Sequence, residues 1–139
     1  MREIRFRGKS LLKGEWLYGD LTQTSDKKVM WIYQSEAVHT NNFKVIPETV
    51  GQYTGLKDKN GVEIYEGDIV QPVGYGWIFE KYQVVYDKPT ARFLFFKYIN
   101  DCLDNELQAI GHSFSYTNKV NDREVETIGN IHDNPGLLK

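Results

Sequence analysis

Cysteine is almost missing from this chain of 139 residues: Cys102 stands alone, so no internal disulfide can form. That excludes the disulfide-stapled secreted folds and favours a reducing compartment. Histidine occurs three times, as His39, His112 and His132, and none stands two or four positions from another or from Cys102. A metal site would have to be assembled from distant segments, so neither metal nor cofactor is expected. Long hydrophobic runs are also missing. The longest, Val29–Tyr33 and Phe93–Phe96, fall far short of the roughly 20 residues that a bilayer helix needs, so no membrane association is expected. The opening Met1-Arg2-Glu3-Ile4-Arg5-Phe6-Arg7 has no apolar stretch. The expectation is therefore a cytoplasmic protein without a secretory signal. No Gly-x-Ser-x-Gly elbow, His-Glu-x-x-His helix, Cys-x-x-Cys pair or phosphate-cradling Gly-Lys-Ser/Thr ending occurs in the sequence, and no enzymatic activity is expected.

What is present is globular. Forty per cent of the residues are hydrophobic and the net charge is −2, a balance that can bury a real core within one domain of residues 1–139. The near neutrality hides a division. Residues 1–50 carry eight basic and six acidic side chains, whereas residues 51–139 carry nine and thirteen, which marks a possible subdivision at that point. The basic excess is concentrated at the start, in Arg2, Arg5, Arg7, Lys9 and Lys13. Strand alternation accounts for the spacing by placing the arginines outward and Ile4 and Phe6 inward. An exposed basic arm of this kind also offers phosphate contacts, which keeps nucleic acid as an alternative partner.

Strand signals dominate. Trp16–Thr22 and Val29–Tyr33 are rich in β-formers around the polar Thr24–Lys28. Asn41-Asn42 marks a turn, and Pro47 argues against a long central strand beside it. Asp58-Lys59-Asn60-Gly61 between Thr54–Lys57 and Val62–Tyr65 reads as a β-hairpin, since Asn and Gly tolerate positive φ. Glu66-Gly67-Asp68 is a bend before the strand Ile69–Val73. Gly74-Tyr75-Gly76 is a turn, and two long strands, Trp77–Asp87 and Ala91–Ile99, are joined by Lys88-Pro89-Thr90. The second is apolar on both faces and is expected to be central or covered. Leu103, Leu107 and Ile110 fall at helical spacing, so one short helix is expected over 100–110, ended by Gly111. Ser113–Asn121 reads as an exposed loop, Arg123–Ile128 as a last strand, and Asn134-Pro135-Gly136 as a closing turn. The fold class is mainly β, a small barrel or sandwich with additional hairpins and at most one short helix.

Two groups of residues invite a chemical reading. Asp58, Glu63, Glu66 and Asp68 lie close around the hairpin and its exit. They offer either a divalent-cation site for a metal-assisted hydrolase or, as favoured here, the turn-forming role of short carboxylates beside Asn60, Gly61 and Gly67. Trp77, Phe79, Tyr82, Tyr86, Phe93, Phe95, Phe96 and Tyr98 crowd two strands. They supply a core first, an interface with a second copy next, and a base-stacking surface last. A binding surface would therefore draw on Arg2, Arg5, Arg7, Trp77, Phe79 and Tyr82. Cys102 beside Leu103 reads as a small core residue.

The central run Pro47–Gly61, followed by Ile64-Tyr65-Glu66-Gly67-Asp68-Ile69-Val70, resembles the signature of the YopX family of phage and prophage proteins. Met1–Gly8 resembles the family's start, and Gly14-Glu15-Trp16-Leu17-Tyr18-Gly19 resembles a motif of one subgroup. Ile128–Leu138 resembles the C-terminal motif, departing at Gly136 from the larger, often acidic residue expected there. The resemblance implies an SH3-like barrel or roll, with Asp68-Ile69-Val70 opening a barrel strand, and a phage or prophage context in a bacterial host. It implies no reaction and no catalytic residues. Together these readings point to a non-enzymatic accessory protein that self-associates as a homo-oligomer and binds an unidentified phage or host protein.

Overall fold

The computed structural model describes residues 1–34, 43–74, 80–100, 107–113, 119–120 and 123–138, with the backbone alone for 98–100, 107–113, 119–120 and 123. It is mainly β, as the sequence indicates, and divides into two compact units, Met1–Gly55 and Leu56–Lys139.

The first unit contains β1 (Phe6–Lys9), β2 (Trp16–Gln23), β3 (Met30–Tyr33), β4 (Lys44–Val45) and the start of β5 (Gly51–Lys57), in the order β4-β3-β2-β1-β5. All the neighbours run antiparallel. The polar loop between β2 and β3 is closed by Thr24, whose hydroxyl donates to Asp26 Oδ1 at 2.6 Å, while Asp26 Oδ1 also accepts the Lys28 N–H at 3.1 Å. Pro47 begins a single 3-10 turn, Pro47–Thr49, rather than a strand. Alternation then sorts β2. Leu17 and Leu21 turn inward to meet Ile32, Val45, Phe6, Met30, Phe43 and Val50, and Tyr18, Asp20 and Thr22 turn outward.

β2 changes partner halfway along. It pairs with β1 from Trp16 to Gly19 and with β3 from Asp20 to Gln23. Gly19 stands at the changeover, where a Cβ would lie 1.8 Å from the Tyr33 carbonyl oxygen. No side chain fits so close an approach, so glycine is obligatory there.

The second unit opens with the end of β5, which turns through Asp58–Val62 into β6 (Glu63–Tyr65). Gly61 takes φ +81° in that turn, the left-handed conformation that the Asn-Gly signal promised. Then come β7 (Asp68–Pro72), β8 (Tyr82–Asp87), β9 (Arg92–Asn100), β10 (Leu107–Ser113), β11 (Lys119–Val120) and β12 (Arg123–Asn130). They form an antiparallel sheet in the order β10-β9-β8-β7-β12-β11. Ile64, Val70, Tyr82, Val84, Phe95 and Val125, with Leu56 against them, make the core. Phe93, Leu94 and Phe95 are all buried, which agrees with a central strand apolar on both faces. The middle and C-terminal motifs meet here. Asp68 pairs with Asn130, and the Gly67 carbonyl accepts the Ile131 N–H at 2.9 Å. Asn130 Oδ1 in turn accepts the N–H groups of His132 and Asp133 at 3.0 and 2.9 Å.

Three expectations change. Leu107–Ile110 is not helical: it lies in β10, paired residue for residue with Asn100–Lys97 of β9. The remainder of that helix, 101–106, lies outside the described residues, as does the Asn41-Asn42 turn. The described tail of Ser113–Asn121 is the short strand Lys119–Val120 rather than loop. Neither strand order returns on itself, and no ladder closes a barrel among the described residues. One bridge, Ser10 to Val45, brings β4 back to the end of β1 without making a strand pair. No helix among the described residues is long and apolar enough to cross a membrane.

Candidate functional site

The arm before β1, the outward face of β2 and the end of β3 enclose an open groove of about 430 Å³, lined by Glu3, Ile4, Arg5, Tyr18, Gly19, Asp20, Tyr33 and Gln34. Its floor follows from two strand rules. Residues two apart share a face, so Tyr18 and Asp20 point the same way; Asp20 stands directly opposite Tyr33, so that ring joins them. All three face solvent, with Tyr18 41% and Tyr33 46% exposed. The Tyr33 ring packs at a tilt on Phe43, with centroids 5.6 Å apart, and stays 46% exposed. On the arm, Arg5 Nη2 pairs with Glu3 Oε1 at 2.8 Å. Ile4, expected inside, is 59% exposed at the rim. The Asp20 carboxylate makes no ion pair or hydrogen bond among the described residues. Glu3 and Arg5 offset each other, so Asp20 leaves the groove with one net negative charge.

The binding surface expected from the sequence is placed differently. Arg7 is only 6% exposed, with its guanidinium 4.7 Å above the centre of the Trp16 ring. Arg7 keeps the outward face that alternation gives it, opposite Tyr18 in the register, but the indole covers it there. β1 has a neighbour on each side, and the indole supplies the face a buried guanidinium needs. Arg5 is tied to Glu3, and Arg2 lies exposed, its stem near Gly55. Trp77 and Phe79 fall outside the described residues. Tyr82 is buried in the second unit's core, where its hydroxyl donates to Glu80 Oε2 at 2.7 Å and Lys97 Nζ meets Glu80 Oε1 at 2.5 Å. Burial, and then the Glu80 carboxylate, push the Tyr82 phenol far above its usual range, so it stays protonated.

Around the β5–β6 turn and its exit, the Asp58 and Asp68 carboxylates accept backbone N–H groups. Asp58, 5% exposed, spends both oxygens on backbone: Oδ1 accepts the N–H groups of Asn60 and Val62 at 2.8 and 3.0 Å, and Oδ2 accepts that of Thr127 at 2.9 Å. Burial raises the Asp58 carboxyl, but these backbone donors outweigh it and hold the group below the usual carboxylate range. Lys59 and Asn60 both reach Glu126, and the lysine foremost lowers that carboxyl as well. Asp68 is buried and accepts the Tyr65 N–H at 2.7 Å. No three His, Cys, Asp or Glu side chains gather at metal-binding range among the described residues. His39 and Cys102 lie outside them.

Tyr18, Asp20 and Tyr33 were not singled out by the sequence. Their signal is the i, i+2 spacing of Tyr18 and Asp20 in a strand whose intervening positions Leu17, Gly19 and Leu21 carry no polar side chain. The cross-strand neighbour is fixed only by the β2–β3 register.

A family model described as YopX protein matches residues 5–139 of the chain. Among solved structures, the crystal structure of protein EF1440 from Enterococcus faecalis is similar at 27% identity and a TM-score of 0.59, over 100% of this chain and 100% of that one. Comparison with curated proteins gives no match.

Proposed function

The chain belongs to the YopX family, and from that footing we propose that it is a phage- or prophage-derived accessory protein, a non-enzymatic module that binds a protein partner in the cytoplasm of a bacterial host. The observation that carries this reading is the outward Tyr18–Asp20–Tyr33 face at the floor of the groove. Tyrosine gives large contact area at low entropic cost and pairs readily with the polar groups that line the rest of this groove, Glu3, Arg5, Asp20 and Gln34. The chemistry elsewhere favours scaffold over reaction. The Asp58 and Asp68 oxygens serve backbone N–H groups, which weakens the reading of these carboxylates as hydrolase ligands.

The nucleic-acid alternative loses support from the arm on which it rested. Arg5 is neutralised by Glu3 and Arg7 is buried under Trp16. Self-association is favoured by a separate feature: among the described residues β10, with a seven-residue ladder to β9, ends the second sheet and offers an edge to another strand.

Titration of the labelled full-length chain with a mixed pool of short, extended peptides tests the main reading by nuclear magnetic resonance. Shifts concentrated at Tyr18, Gly19, Asp20 and Tyr33 are expected; a pool that leaves these residues unmoved overturns it. Sedimentation equilibrium tests the second reading, and a strict monomer at high concentration removes it.

A further inference from the structure

The groove offers three features to a ligand: two tyrosine rings, a carboxylate on the same face, and a strand edge. The rings and the carboxylate share one face because of register, with Asp20 opposite Tyr33 and two residues from Tyr18. A planar cation between aromatic faces is attracted by their negative π-surfaces, and a neighbouring carboxylate adds a directional hydrogen-bonded counter-charge. The charge of the lining agrees, since Glu3 and Arg5 cancel and Asp20 remains. The strand edge is supplied by the partner change in β2. Its ladder with β1 stops at Gly19, and from Asp20 to Gln23 it is paired, among the described residues, with β3 alone. The arm meanwhile follows β5, where the Arg5 carbonyl accepts the Tyr53 N–H at 2.8 Å. Main-chain groups of β2 on the arm side are thus placed to continue a ladder with an added strand.

We propose that this face docks an extended segment of a partner protein that lays its backbone along Asp20–Gln23 of β2 and places an arginine side chain between Tyr18 and Tyr33, against Asp20. The inference deepens the binding reading above and rests on it. The strand edge is what selects a peptide over a free guanidinium compound, because only a peptide gains from the edge and the carboxylate together. Arginine fits better than lysine, since its flat guanidinium stacks on a ring while pairing side-on with a carboxylate.

The test uses the full chain and a capped pentapeptide, acetyl-Thr-Val-Arg-Val-Thr-amide, with a citrulline version that keeps the shape and removes the charge. The arginine peptide is expected to shift Tyr18, Gly19, Asp20 and Tyr33 and to saturate. The citrulline peptide and the Asp20→Asn variant should each bind about tenfold more weakly, the scale of one desolvated cation contact. Equal binding of the arginine and citrulline peptides overturns the cation site while leaving the binding reading intact. Arginine amide binding as tightly as the peptide overturns the strand-addition part. Silence of both pentapeptides overturns this inference, and only silence of the mixed pool as well removes the binding module.

Discussion

Asp58 Oδ2 accepts the backbone N–H of Thr127 at 2.9 Å, across 69 positions of the chain. The same carboxylate closes the Asn60–Val62 turn. One side chain therefore shapes the β5–β6 hairpin and ties it to β12. Replacing Asp58 with Ala strands three backbone donors and should cost the second unit about 3 kcal/mol in urea unfolding. Asp58→Asn, which keeps one acceptor oxygen, should cost about half of that. Thr127 amide exchange reports the site directly, and unchanged protection in Asp58→Ala would contradict the geometry.

Acid should act through the same group. The folded-state pKa of Asp58 is lowered, so its contribution is fully present above the unfolded value of about 3.9 and is lost as pH falls through the folded value. Unfolding midpoints measured from neutral pH down to about pH 2 should fall less steeply in Asp58→Asn than in the parent chain. Parallel curves would show that Asp58 is not the acid-sensitive group.

Alkali should act through Tyr82. Its phenol is raised above the unfolded value of about 10, so the stabilisation holds below that value and is lost as pH rises beyond it. In a spectrophotometric titration Tyr82 should fail to ionise until the second unit opens, and Tyr82→Phe should remove its one-tyrosine share of the late component. A Tyr82→Phe chain whose late component is undiminished would assign that share elsewhere.

Gly19→Ala should be severe. Its Cβ would sit 1.8 Å from a carbonyl oxygen, and backbone cannot retreat as a flexible side chain does. A loss of about 3 kcal/mol is expected for the first unit, read by calorimetry. A melting temperature within error of the parent would show that β3 lies farther from β2 than described.

The two ends of the basic arm should separate in behaviour. Arg7→Ala removes a buried stem and its stacking on Trp16, and should cost about 2 kcal/mol. Arg2→Ala, at the surface, should change stability by less than about 0.5 kcal/mol. Equal effects in thermal melts would refute the burial of Arg7.

The parts of the fold legible in the sequence are those decided locally. Asn60-Gly61 and Glu66-Gly67-Asp68 carry their turns in their own backbone preferences, and β2, β3, β7 and β12 follow from β-formers bounded by polar breaks. What misled was decided at a distance. Leu107 and Ile110 suit a helix as well as a strand, and only the ladder to β9 chooses between them. Arg7 alternates like a surface residue, yet strands on both sides of β1 and the Trp16 ring enclose it. The candidate site was invisible for the same reason, because Asp20 becomes the neighbour of Tyr33 only through register.

The pairing of Asp68 with Asn130 has a consequence for synthesis. A chain leaving the ribosome can complete the β1–β5 ladders once Tyr53 has emerged, because every partner lies upstream. β7 can pair with β8 early, but its other edge must wait for β12, made some sixty residues later, and the Glu66-Gly67-Asp68 bend has no Ile131 N–H to receive until then. Long-range pairings of this sort form late and slowly. The nascent protein thus passes through an interval in which its first unit is native and its second still open, and a chaperone or protease that meets it then finds the β12-side edge of β7 bare.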